Sequence, residues 1–92
     1  MLLSSGSDDM KVASNVSWQK LLNTIFVINE ENDSIIKLED TAGLIWMKAS
    51  KGNNINQIAN EIYKEYDVEF KQAQKDVAEF IEYLIAAHLM EK

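Results

Sequence analysis

Ninety-two residues at 47% hydrophobic content make one small domain with a single core, and the net charge is −6, with nine lysines and no arginine. Cysteine is absent, which excludes disulfides and thiolate metal sites, and no run of about 18 apolar residues exists to span a membrane. An acidic, arginine-free domain is poorly suited to nucleic acid, where basic side chains neutralise phosphate and arginine is the commonest base reader.

Residues 1–15 read as a disordered lead-in, Ser/Asp/Gly-rich up to Asp9, with Met10 as an alternative start. Met1-Leu2-Leu3 is too short and uncharged for a secretory signal, so a cytoplasmic location is the expectation. The folded domain is then expected over residues 16–92. Val16-Ser17-Trp18-Gln19-Lys20 alternates apolar and polar residues, as an edge strand does, with Val16 and Trp18 on one face. Leu21 to Thr24 turns around Asn23, and Ile25-Phe26-Val27-Ile28 is the strongest strand signal in the chain. Asn29 to Ser34 is rich in Asn and Asp, which tolerate the left-handed conformation and bond their own backbone. Ile35 to Leu38 returns as a third strand, completing a hairpin.

The chain switches from strand to helix at Glu39-Asp40. Asp40 is placed to cap a helix from Thr41 to Ala49 that ends near Gly52, with Trp46 as its apolar anchor. Asn54 and Gln57 make a capping-box pattern for a second helix, whose apolar face is Ile55, Ile58, Ala59, Ile62 and Tyr66. A third helix spans Phe70 to Ala87, with the stripe Phe70, Ala73, Val77, Phe80, Ile81, Leu84 and His88; Leu89-Met90 follows as an extended end. The expected fold is α+β and winged helix-turn-helix-like: a three-stranded antiparallel sheet followed by three helices.

Chemistry is sparse. His88 is the single histidine and has no metal-ligating neighbour in the sequence. The acidic pairs Asp8-Asp9, Glu30-Glu31 and Glu39-Asp40 fall in loops and caps, where carboxylates stay ionised and solvated. Three glycines form no phosphate loop. No catalytic, cofactor or metal site is expected. A DNA-binding winged helix is the rival reading, but Lys71 and Lys75 on the third helix are outweighed by Asp76, Glu79 and Glu82. Two surfaces invite a partner instead. Ile35-Ile36 makes the third strand apolar on both faces, which suits either a central strand with Ile35 under a helix or an edge left open for an added strand. On the third helix, Asp76, Phe80 and Tyr83 flank an apolar stripe wider than one contact needs.

Three stretches together resemble the PqqD-like family over residues 16–90. "IIKL" followed by "EDTAGLIW" is similar to the family's Leu-Asn-x-Thr-x-x-x-Ile-Trp; "INQIANEIYKEYDVE" and "KDVAEFIEYLIAAHLME" resemble its next two segments. Glu39 stands where the family often has Asn, and His88 where Gly often precedes the terminal Leu. The resemblance implies a RiPP recognition element, a non-catalytic domain for ribosomally made, post-translationally modified peptides. Such a domain binds a precursor leader peptide as an extra strand, in a cleft bounded by the last helix, and presents it to an enzyme. The implied partners are a leader peptide and a radical SAM enzyme or leader peptidase, with no nucleic acid and no membrane; a homodimer through the open edge is the structural alternative. The peptide-binding residues expected on this basis are Ser34, Ile35, Ile36, Lys37 and Leu38 on the strand, and Ala73, Lys75, Asp76, Phe80 and Tyr83 on the helix. Lys37 and Lys75 are expected to meet leader acids.

Overall fold

The computed structural model describes residues 10–91. Its elements are β1 (Lys11–Val12), β2 (Val16–Leu21), β3 (Thr24–Asn29), β4 (Ser34–Glu39), α1 (Asp40–Ser50), α2 (Ile55–Glu65), α3 (Phe70–Ala86) and β5 (Met90–Glu91). Strands β2, β3 and β4 form an antiparallel sheet in that order, so β3 is central and β2 and β4 are its edges. Three helices follow, as the hydrophobic pattern predicts.

The sheet is asymmetric because its strands alternate. Ile25, Val27 and Asn29 of β3 point to one face, with Leu38 and Ile36 of β4 beside them, and the four apolar residues join the core shared with the helices. Helix α1 lies close to this face at Gly43, where a Cβ would make ordinary contacts, 3.5 Å from the Leu38 carbonyl oxygen and 3.6 Å from Ile25 Cγ1. Trp46, fully buried, is the largest side chain of the core. Trp18 of β2 meets it edge-on, with ring centroids 6.2 Å apart. The Trp46 indole N–H is buried and has no hydrogen-bond acceptor among the described residues. Helices α2 and α3 close the core with Ile58, Ala59, Ile62, Ala73, Val77, Ile81 and Leu84.

The helix ends show how local chemistry sets the boundaries. Asn54 caps α2 as predicted: its side chain accepts from Gln57 N–H (2.9 Å), while Gln57 Oε1 accepts from Asn54 N–H (2.8 Å). Helix α1 ends in a Schellman turn, with Asn53 N–H donating to Lys48 O and Gly52 N–H to Ala49 O, and Gly52 takes φ 92°. Its start differs from expectation. Glu39, not Asp40, is the N-cap; it makes no side-chain cap bond, and Asp40 itself adopts φ 55°.

Two further expectations are revised. Residues 10–15 are not a disordered lead-in: β1 pairs with β5, and Met10 and Ala13 are buried. Residues 1–9 lie outside the described residues. His88 does not complete the apolar stripe of α3. It is exposed and takes φ 62°, because α3 ends one residue earlier in a second Schellman turn: Leu89 N–H donates to Leu84 O (2.9 Å) and His88 N–H to Ile85 O (3.0 Å). The turn brings buried Leu89 against the core and starts β5.

Candidate peptide-binding site

The main-chain geometry of β4 follows from its register. β2 and β3 are joined by the two residues Leu22-Asn23, so the flanking pair Leu21 and Thr24 exchanges hydrogen bonds. Bonded and non-bonded pairs alternate along an antiparallel ladder. Gln19↔Phe26 and Ser17↔Ile28 are therefore the next bonded pairs, and Glu30 N–H donating to Asn15 O (2.8 Å) continues the same phase. Ile25 and Val27 must then direct their main-chain groups to β4, onto Leu38 and Ile36. The N–H and C=O groups of Ile35 and Lys37 consequently point away from β3, to the open side of β4, whereas the Glu39 C=O, at the N-cap, accepts the first bond of α1. A row of unpaired groups of this kind is a template for another strand.

The side chains alternate too. Leu38 is buried and Ile36 half-buried on the core face. Ile35, Lys37 and Glu39 lie on the opposite face, where Ile35 is 64% exposed beside Ile28, its partner across the ladder. Lys37 faces Phe26, and both Phe26 and Ile28 are only half-buried. This second apolar surface is legible in Ile25-Phe26-Val27-Ile28, which is apolar on both faces, but sequence reasoning assigned it no role.

Asn29 fixes the start of the β4 turn. It is 5% exposed, and its Oδ1 accepts from Asn15 Nδ2 (2.9 Å) and from Glu31 N–H (3.0 Å). Asn32 Oδ1 accepts from Ser34 N–H (3.0 Å), and Asp33 adopts φ 60°, so the polar turn delivers Ser34 into the strand.

On α3 the orientation is set by its contacts with α2. Gln74 Nε2 donates to Asn56 Oδ1 (2.8 Å), and Phe70 meets Tyr63 edge-on at 6.0 Å. At about 100° per residue, Asp76, Phe80 and Tyr83 lie together on the flank of the buried stripe away from α2. The Phe80 and Tyr83 rings stack at 5.8 Å, and Tyr83 is 48% exposed. Asp76 accepts from Gln72 Nε2 (2.8 Å). The other two helix residues do not join this flank. Ala73 is fully buried in the core, and Lys75 projects on the exposed side of the helix. A pocket of about 330 Å³ lies elsewhere, lined by Asn15, Glu31, His88, Met90 and Glu91, and includes none of the expected residues.

Residues 24–90 match the family described as Coenzyme PQQ synthesis protein D (PqqD). The chain belongs to the PqqD family. No curated protein sequence matches it. Among solved structures, it is similar to "TbiB1 in Complex with the TbiA(beta) Leader Peptide", with a TM-score of 0.83 and 20% identity over 88% of this chain and 94% of that one. It is also similar to "Lasso peptide synthetase B1 complexed with the leader peptide", with a TM-score of 0.84 and 20% identity over 91% of this chain and 99% of that one. At this identity the likeness is one of fold, and the PqqD-type sheet and three helices are common to all three chains.

Proposed function

We propose that this PqqD-family chain is a RiPP recognition element: it binds the leader segment of a ribosomal precursor peptide by strand addition to β4 and presents it to a modifying or processing enzyme. The observation that carries the reading is the open edge of β4, where the main-chain groups of Ile35 and Lys37 face no strand among the described residues and the apolar Ile35 side chain stands exposed. Main-chain bonds supply affinity at such an edge and alternate side chains supply selectivity. Family membership supports this assignment, and so does a shared fold with two proteins whose structures hold leader peptides.

In this reading Ser34 to Leu38 form the binding edge, and Asp76, Phe80 and Tyr83 form the wall beside the bound strand. Leu38 takes part through its main chain, since its side chain is 5% exposed. Ala73 supports the wall from within the core. The enzyme partner in this reading is a leader peptidase or a radical SAM protein. The domain itself contributes recognition and no catalysis.

Titration of the ¹⁵N-labelled chain with candidate leader peptides tests this. The expected result is selective perturbation of amides in residues 34–38 and 76–83. Perturbation that avoids both segments would overturn the site.

A further inference from the structure

The outward face of β4 presents an ordered set of side chains to whatever strand lies beside it. Ile35, Lys37 and Glu39 alternate along this face, apolar, basic and acidic, and the main-chain groups of Ile35 and Lys37 point to the open edge. In an antiparallel addition, residues that exchange hydrogen bonds lie directly opposite one another with side chains on the same face. Each incoming residue bonded to Ile35 or Lys37 therefore sets its side chain next to theirs, and the residue two positions further in register lies beside Glu39.

Resting on the strand-addition reading above, we propose that the bound peptide is selected on this outward face by a basic-x-acidic-x-apolar pattern, read from its N-terminus to its C-terminus. The basic residue lies opposite Glu39, the acidic residue opposite Lys37 and the apolar residue opposite Ile35. The two intervening residues turn inward, beside Leu38 and Ile36. Three observations converge on this occupant. Ile35 is 64% exposed, and a neighbouring apolar side chain would extend the Ile28–Ile35 pair by one strand. Lys37 and Glu39 are exposed in the free chain and offer alternating charge. The order of the pattern is fixed by the antiparallel direction, which matches the rest of the sheet and bonds slightly better than the parallel one.

The test uses a synthetic probe, acetyl-Thr-Lys-Val-Glu-Val-Ile-Thr-amide, titrated into the ¹⁵N-labelled chain and followed at the Ile35 and Lys37 amides. A second peptide carries lysine in place of glutamate, and a third carries the pattern reversed. Against the wild-type chain the matched probe is expected to bind about three- to fivefold more tightly than either, the scale of one directly opposed pair. Against Lys37→Glu the preference between the first two peptides is expected to invert; Ile35→Ser is expected to weaken the matched probe without changing the charge preference. Equal affinities for all three peptides would overturn the proposal, as would a stronger reversed probe. So would no shift at these amides with the matched probe when a leader peptide does shift them. Shifts that grow with protein concentration in the absence of peptide would assign the face to a second copy of the chain and overturn it as well. If no leader peptide reaches β4 at all, the strand-addition reading itself falls.

Discussion

Glu39 occupies the N-cap of α1, yet its carboxylate turns across the sheet and accepts from Thr24 Oγ1 at 3.4 Å. The first N–H groups of α1 are left without a side-chain acceptor from the cap. The backbone at Glu39 is already extended, with φ −130° and ψ 159°, as an N-cap requires. Glu39→Asn is therefore expected to stabilise the chain by about 1 kcal/mol. That is a rise in melting temperature of roughly 4–8 °C for a domain of this size. An unchanged or lowered melting temperature would show that the Thr24 contact outweighs the cap.

The end of α3 holds a second such opportunity. His88 takes φ 62° at the position that completes the Schellman turn, where a side chain carries a steric penalty and glycine does not. His88→Gly is expected to raise stability by about 1 kcal/mol, measured by urea denaturation with an unchanged m-value. The imidazole is exposed, so the substitution removes no buried side chain.

Gly43 gives a third test of packing. A methyl group at this position would meet Leu38 O and Ile25 Cγ1 at 3.5 and 3.6 Å, which are ordinary van der Waals contacts. The residue also sits inside a helix, where glycine is unfavourable. Gly43→Ala is expected to be accepted and to stabilise by up to about 1 kcal/mol, read from the shift in the urea midpoint. A larger side chain such as leucine would press on Leu38 and Ile25 and destabilise by about 1–3 kcal/mol.

Residues on the two faces of β4 separate binding from stability. Ile35→Asp changes an exposed side chain, so the melting temperature is expected to move little while leader-peptide affinity falls. Leu38→Ala removes a buried side chain and is expected to cost about 2–5 kcal/mol. Tyr83→Ala is expected to behave like Ile35→Asp, since its ring is 48% exposed on the flank of α3. Affinity and thermal denaturation measured on all three variants check the separation; an Ile35→Asp chain that binds as well as wild type would remove Ile35 from the site.

Much of the fold is legible in the sequence because it rests on short-range patterns. The alternation of Ile35, Ile36, Lys37 and Leu38 assigns faces correctly, and the Asn54–Gln57 pair marks the start of α2. The sequence leaves open whether this third strand is central or an edge; the order β2-β3-β4 makes it an edge. What escapes depends on long-range pairing or on single dihedral angles. Lys11–Val12 and Met90–Glu91 are strands only because they meet, and two residues carry no periodicity. His88 continues the helical spacing of Leu84 and Ile81, but the left-handed turn swings it out to solvent. Lys75 is next to Asp76 in sequence, but one residue along a helix is about 100° around it, and Lys75 lies off the flank.

The most direct measurement is amide hydrogen exchange along β4, with and without leader peptide. In the free chain, Ile36 and Leu38, bonded to β3, are expected to exchange slowly, and Ile35 and Lys37, open to solvent, to exchange fast. Saturating peptide is expected to slow Ile35 and Lys37 by about tenfold or more, as each gains a strand hydrogen bond. Ile35 and Lys37 amides that remain fast in the peptide-saturated chain would contradict strand addition at this edge.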